Sequence, residues 1–78
     1  MGEVSTIGVD LAKSVFQVHG ADASGTVLFR IKLRRHQVLA FLTGQSPCTV
    51  AMEAVGGVHH WAREISKLGH AIRLIPPA

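Results

Sequence analysis

Hydrophobic positions along this chain switch between two periods, and the switches mark out seven elements. Ser5 to Asp10 is a short apolar run closed by an acid, and reads as a first strand. Val15 to Gly20 follows as a second strand after a turn through Leu11 to Ser14. Asp22-Ala23-Ser24-Gly25 has the composition of a hairpin turn. The third strand, Thr26 to Leu33, alternates most clearly: Val27, Phe29, Ile31 and Leu33 are expected on one face, Leu28, Arg30 and Lys32 on the other. From Arg34 to Thr43 the spacing becomes helical, with Val38, Phe41 and Leu42 on one stripe and Gly44 in the position of a C′ residue. Cys48 to Glu53 is a fourth strand, again closed by an acid. Val58, Trp61, Ile65 and Leu68 form the stripe of a second helix that ends at Gly69, and Ala71 to Ile75 is a fifth strand stopped by Pro76-Pro77.

The order β-β-β-α-β-α-β implies an antiparallel meander followed by two crossovers. A mixed five-stranded sheet of order 3-2-1-4-5 satisfies it, with strand one central and strand four parallel beside it. If both right-handed crossovers step the same way, both helices lie on one face. The other face is then left without cover, as an apolar surface suited to a partner or a second copy.

Composition narrows the class. At 78 residues the chain is one domain or part of one, and its stability is expected to be small. Hydrophobic residues make up 47% and charged residues 17%, which excludes a disordered chain. The net charge of +3 and pI near 9.8 are compatible with a polyanionic partner. A single cysteine, Cys48, excludes an internal disulfide and is expected to be a small buried residue in a reducing compartment. No apolar run approaches the length of a membrane span and no signal pattern opens the chain, so the expected location is the cytoplasm, without a membrane partner.

Two stretches carry candidate chemistry. Ile7-Gly8-Val9-Asp10 and Val50-Ala51-Met52-Glu53 are apolar strands ending in a carboxylate. Strand interiors disfavour such residues, so each acid is either a turn or cap residue or a functional group. If the two strands are parallel neighbours, Asp10 and Glu53 meet at one edge of the sheet as a metal-binding pair. Lys13 is either a solvated turn lysine or a phosphate contact beside them. Arg30 and Lys32, extended by Arg34 and Arg35, form a cationic stripe that either protects a strand edge or meets a nucleic-acid backbone. Gly56-Gly57 lacks the remainder of a phosphate-binding loop and reads as a tight turn. His59 and His60 point about 100° apart on a helix and make a poor ligand pair. Trp61 reads as a core anchor rather than a base-stacking platform.

The chain resembles the N-terminal region of the DEDD transposases of bacterial insertion sequences, relatives of the Piv-type invertases with an RNase H-like, RuvC-like domain. The resemblance rests on Ile7-Gly8-Val9-Asp10-Leu11-Ala12-Lys13, Gly25-Thr26-Val27-Leu28-Phe29-Arg30 and Met52-Glu53-Ala54. It is most specific in His59-His60-Trp61-Ala62-Arg63-Glu64, Leu68-Gly69-His70 and Leu74-Ile75-Pro76-Pro77. It implies that residues 1–78 are part of a RuvC-like domain truncated after strand five. Asp10 and Glu53 would be the first two of four catalytic acids that hold Mg²⁺ or Mn²⁺ for DNA strand cleavage and transfer. The third and fourth acids belong to a C-terminal helix beyond Ala78, so the chain alone is expected to be inactive. The implied partners are DNA, a guide or structured RNA, and the full-length transposase or another copy. Two other readings remain: a non-catalytic nucleic-acid-binding or oligomerisation module, and the first lobe of an actin-like kinase. Ala12 and Lys13 stand where such kinases carry Gly and Ser/Thr, and measurable ATP affinity would revive that last reading.

Overall fold

The computed structural model describes residues 3–77. They form β1 (Thr6–Asp10), β2 (Val15–Ala21), β3 (Val27–Arg34), a 3₁₀ turn (Arg35–Gln37), α1 (Val38–Thr43), β4 (Thr49–Glu53), α2 (Val58–Ser66) and β5 (Ala71–Ile75). The strands make one sheet of order β3-β2-β1-β4-β5. β2 runs antiparallel to both β1 and β3, and β4 is parallel to both β1 and β5. The expected topology is therefore the observed one.

Alternation along each strand divides the sheet into two faces. Ile7 and Val9, Phe16 and Val18, Val50 and Met52 are buried on the face that packs against Val38 and Leu42 of α1 and Val58, Trp61 and Ile65 of α2. Phe16 and Trp61 meet edge to face, with ring centroids 5.0 Å apart. Both helices thus cover the same face. The opposite face carries Thr6, Gly8, Gln17, His19, Arg30, Lys32 and Ala51. It is bare, as expected, but it is not the apolar surface that was anticipated: small, polar and cationic side chains dominate it. The exposed large apolar residues, such as Val15, Val27 and Ile75, lie mostly towards its margins.

Several boundaries and orientations differ from expectation, each for a physical reason. The β2–β3 ladder shifts register between Gly20 and Ala21, so that Gly20 stands opposite Phe29 and Ala21 opposite Val27. Leu28 is the extra residue of this bulge, and Val27 accordingly moves to the bare face. The first helix opens as a 3₁₀ turn because Arg34 offers no side-chain cap; instead the Arg34 amide donates to Gln37 Oε1 at 2.9 Å. Gly44 caps α1 at φ −79°, in the right-handed region, and makes no use of the freedom of glycine. Gly57 does: it is the N-cap of α2 at φ +84°, turning the chain from β4 into the helix. Cys48 is half-buried rather than buried, and precedes β4.

In the β2–β3 turn, Asp22 Oδ1 accepts from the Ser24 hydroxyl at 2.7 Å and from the Ser24 and Thr26 amides at 3.0 Å. These bonds, the hydroxyl foremost, hold the Asp22 carboxyl below its ordinary range. Among the described residues no helix is long and apolar enough to cross a membrane.

Gly20 is needed for packing. A Cβ built there would collide with one edge of the ring of Phe29, which itself packs edge to face on Phe41 at 5.7 Å. Alanine in a strand ordinarily gains stability over glycine. Here the collision decides the sign, and Gly20→Ala is expected to lower stability by about 1–3 kcal/mol, read as a lower urea midpoint. An unchanged or raised midpoint would show that Phe29 moves aside freely.

Candidate functional site

β1 and β4 are the inner parallel pair, and each ends in an acid. Thr6, Ile7, Gly8 and Val9 stand opposite Thr49, Val50, Ala51 and Met52. The next residues, Asp10 and Glu53, therefore leave the ladder side by side. Alternation gives both the face of Gly8 and Ala51, which is the one without helices. Both acids are exposed, and both line one open depression of about 370 Å³ together with Gln17, His19 and Ile75. Gly8 and Ala51 face each other across the ladder and form its shallow floor.

Neither carboxylate accepts a side-chain hydrogen bond or joins an ion pair among the described residues; the ion pair found there is Glu64–Lys67 at 2.8 Å. Glu53 does not cap α2, whose N-cap is Gly57 with no side-chain cap bond. A purely local duty for this acid is thus not what the structure shows. Among the described residues no group of three or more His, Cys, Asp or Glu is arranged to hold a metal. The donor set is two free carboxylates at neighbouring strand ends. That fits Mg²⁺, which takes one or two carboxylates and fills its remaining positions with water and phosphate oxygens.

The cations fall into different places. Lys13 is exposed in the bend between β1 and β2, three residues past Asp10. Lys32 stands opposite Gln17, Arg30 opposite His19 and Arg34 opposite Val15, so all three share the bare face with the acids. Two strand spacings, about 10 Å, separate their row from β1. Arg35 departs from the expected stripe: its guanidinium lies 5.3 Å from the centroid of the Trp61 ring, on the helix side. His59 and His60 are exposed on α2, and His60 meets Trp61 edge to face at 5.6 Å.

Two of the histidines to which sequence reasoning assigned no role are placed by the structure at defined positions. His70 is buried; its Nε2–H donates to the Leu42 carbonyl at 2.7 Å, and its Nδ1 accepts from the Cys48 amide at 3.2 Å. Burial pushes the Cys48 thiol up, away from the thiolate form. His19 lies over Gly8 within the acid-lined depression. Its signal was present in the alternation Phe16, Gln17, Val18, His19, which gives it the face of Asp10 once β1 and β2 pair.

The fold and its acids define a mixed α/β sheet domain with two carboxylates at the ends of parallel strands. No family model matches the chain. Along nearly its whole length it is similar to segments of transposases. It is 55% identical over 74 residues to a protein described as a probable family 20 transposase of Pseudomonas aeruginosa, matching 95% of this chain and 22% of that protein. It is 44% identical over 77 residues to the transposase for insertion sequence element IS1328 of Yersinia enterocolitica, matching 99% of this chain and 23% of the relative. Against the transposase for insertion sequence element IS1111A of Coxiella burnetii the identity is 36% over 77 residues, covering 99% and 21%. The chain spans about a fifth of the length of the curated relatives it matches.

Proposed function

We propose that this chain supplies the first two carboxylates of a metal-dependent DNA strand-cleavage and strand-transfer site, as part of an RNase H-like, RuvC-like domain of a DEDD transposase. The observation that carries the reading is the convergence of Asp10 and Glu53 at adjacent parallel strand ends, on an open face, with no side-chain partner among the described residues. The similarity to transposases supports it and favours it over an actin-like kinase lobe.

Asp10 and Glu53 would hold Mg²⁺ or Mn²⁺. Such an ion, when bound, neutralises charge on a phosphate and activates an oxygen nucleophile. The chain itself contributes position and field. Because both carboxylates are exposed and unpaired, they can take the ion without breaking an existing bond. The shallow floor at Ala51, bordered by the His19 ring over Gly8, leaves room for a phosphodiester to approach. Arg30, Lys32 and Arg34 make the same face attractive to a polyanion, and Lys13 extends that attraction to the end of β1. Two acids are half of the set that the resemblance implies. The 78-residue chain is therefore expected to bind the ion weakly and to cleave neither linear nor branched DNA in Mg²⁺.

Sub-stoichiometric Mn²⁺ added to ¹⁵N-labelled protein tests the site. Amide broadening should centre on Asp10 and Glu53, and Asp10→Asn or Glu53→Gln should each weaken binding at least about tenfold, as expected when one of very few carboxylate ligands is lost. Broadening centred on Asp22 or Glu64 instead would overturn the proposal.

A second reading, a nucleic-acid-binding module without chemistry, is favoured by the cationic row on the bare face. It predicts salt-sensitive DNA binding that is indifferent to Asp10→Asn.

A further inference from the structure

The depression beside the two acids holds a group that the proposed function leaves unused, the imidazole of His19. Its position follows from the sheet. On β2, His19 stands opposite Gly8 of β1 and, on the other side, opposite Arg30 of β3. A Cβ built on Gly8 would collide with the Cε1–Nε2 edge of the imidazole, so the ring lies over the Gly8 backbone, and any larger residue there would displace it. The side chain is thus seated, but it is not occupied. His19 is exposed, and among the described residues neither ring nitrogen has a hydrogen-bond partner.

His19 stands apart from the two acids on the backbone: Asp10 and His19 are separated by two residues along the strand direction and one strand across, about 8 Å, and among the described residues no group of three or more donors is arranged to hold a metal. Among the described residues, no second layer packs on this face over the ring. The charges form a sequence across the sheet. One row runs Asp10, Gln17, Lys32; the next runs Gly8, His19, Arg30. Acids stand on β1 and β4, donors on β2 and cations on β3, with one further cation, Arg73 of β5, opposite Ala51 on the other side of the acids. A phosphodiester strand crossing perpendicular to the β-strands would meet them in that order: one phosphate near the acids, its neighbour over the donors, the next among the cations. The scarcity of apolar side chains in the middle of this face favours such a polyanion over a second protein chain.

We propose that His19, seated on Gly8 and backed by Arg30, donates a hydrogen bond to a backbone phosphate of a nucleic-acid strand, beside the phosphate that faces Asp10 and Glu53. The proposal rests on the reading of the two acids only for the position of that neighbouring phosphate. Either neutral tautomer and the charged ring all carry an N–H, and the ring's fixed seat keeps the cost of ordering it small.

The test uses the whole chain and a fluorescein-labelled single-stranded DNA oligonucleotide at low salt in EDTA, followed by anisotropy. His19→Ala should weaken binding about five- to tenfold, the effect of losing one hydrogen bond of ordinary net strength at an exposed site. His19→Gln, which keeps a donor, should recover part of the loss. Arg30→Ala should lower the salt slope by about one unit. Mn²⁺ broadening at Asp10 and Glu53 should be unchanged in His19→Ala. Equal DNA affinity in wild type and His19→Ala would overturn the phosphate contact. So would loss of Mn²⁺ broadening in that variant, which would make His19 a metal ligand, and so would DNA-induced shifts confined to the helix side. If Mn²⁺ fails to settle at the acids while DNA binding still depends on His19, the ion reading falls and the phosphate contact stands.

Discussion

Replacing Trp61 by alanine is expected to remove most of the stability of this chain. The ring is 6% exposed, stands edge to face on Phe16 at 5.0 Å and carries the Arg35 guanidinium on its outer side at 5.3 Å. Truncating a buried tryptophan costs about 3–5 kcal/mol through lost transfer energy and the cavity left behind. A lost cation–π contact at a partly exposed site adds about 0.5–1 kcal/mol. A folded domain of this size has only about 4–12 kcal/mol to lose. In urea, followed by far-ultraviolet circular dichroism, Trp61→Ala should show a midpoint less than half that of the wild type, or no folded baseline at all. Trp61→Phe keeps the edge contact with Phe16 and should lie in between. A Trp61→Ala variant within about 1 kcal/mol of wild type would mean that the ring does not anchor α2, and would return it to candidacy as a base-stacking surface.

The second large effect is expected at His70. This side chain ties the end of α1 to the start of β4 through two backbone groups that are 28 and 22 residues away in sequence. The two bonds are unequal in consequence. The Leu42 carbonyl also accepts from the Gln45 amide at 3.2 Å and would retain a partner, whereas the Cys48 amide would lose its only one among the described residues. Leaving a buried donor unsatisfied costs about 1–3 kcal/mol, and His70→Ala opens a cavity as well. His70→Ala should therefore lose about 2–4 kcal/mol, combining that penalty with the cavity term. His70→Phe should lose less, because it fills the volume while leaving the amide orphaned. Amide hydrogen exchange separates this explanation from general loosening. Protection of Cys48 should fall further than global stability in His70→Phe; equal falls would show that the bond to Nδ1 carries no weight of its own.

How much of this could be read from the chain depended on how local the cause was. Alternation over Val27 to Leu33 and the helical stripe of Val58, Trp61 and Ile65 are properties of consecutive residues, and they placed the strands, the second helix and their order. The neighbouring positions of Asp10 and Glu53 followed from the topology, because two acids ending parallel neighbours have nowhere else to go. The misplacement of Val27 had a different origin. Whether a strand contains an extra residue is decided by its partner, here by Gly20 making room for Phe29. The same holds for Arg35, which looked like a continuation of a charged strand but turns away with the 3₁₀ segment and finds Trp61. His70 was hidden for a third reason. A histidine between Gly69 and an apolar strand is compatible with many environments, and only the approach of α1 and the loop before β4 gives its ring both a donor and an acceptor.

The pairing of β1 with β4 has a further consequence. The meander β1–β2–β3 closes through short turns, whereas the contact that brings the two acids together joins residues about forty positions apart and costs about 1–2 kcal/mol more in chain-closure entropy. The carboxylate pair is therefore assembled by a non-local event, and a chain that has folded only its first three strands presents Asp10 alone. Any affinity for an ion that needs both acids is then a report on completed folding, silent in every partly built form of the molecule.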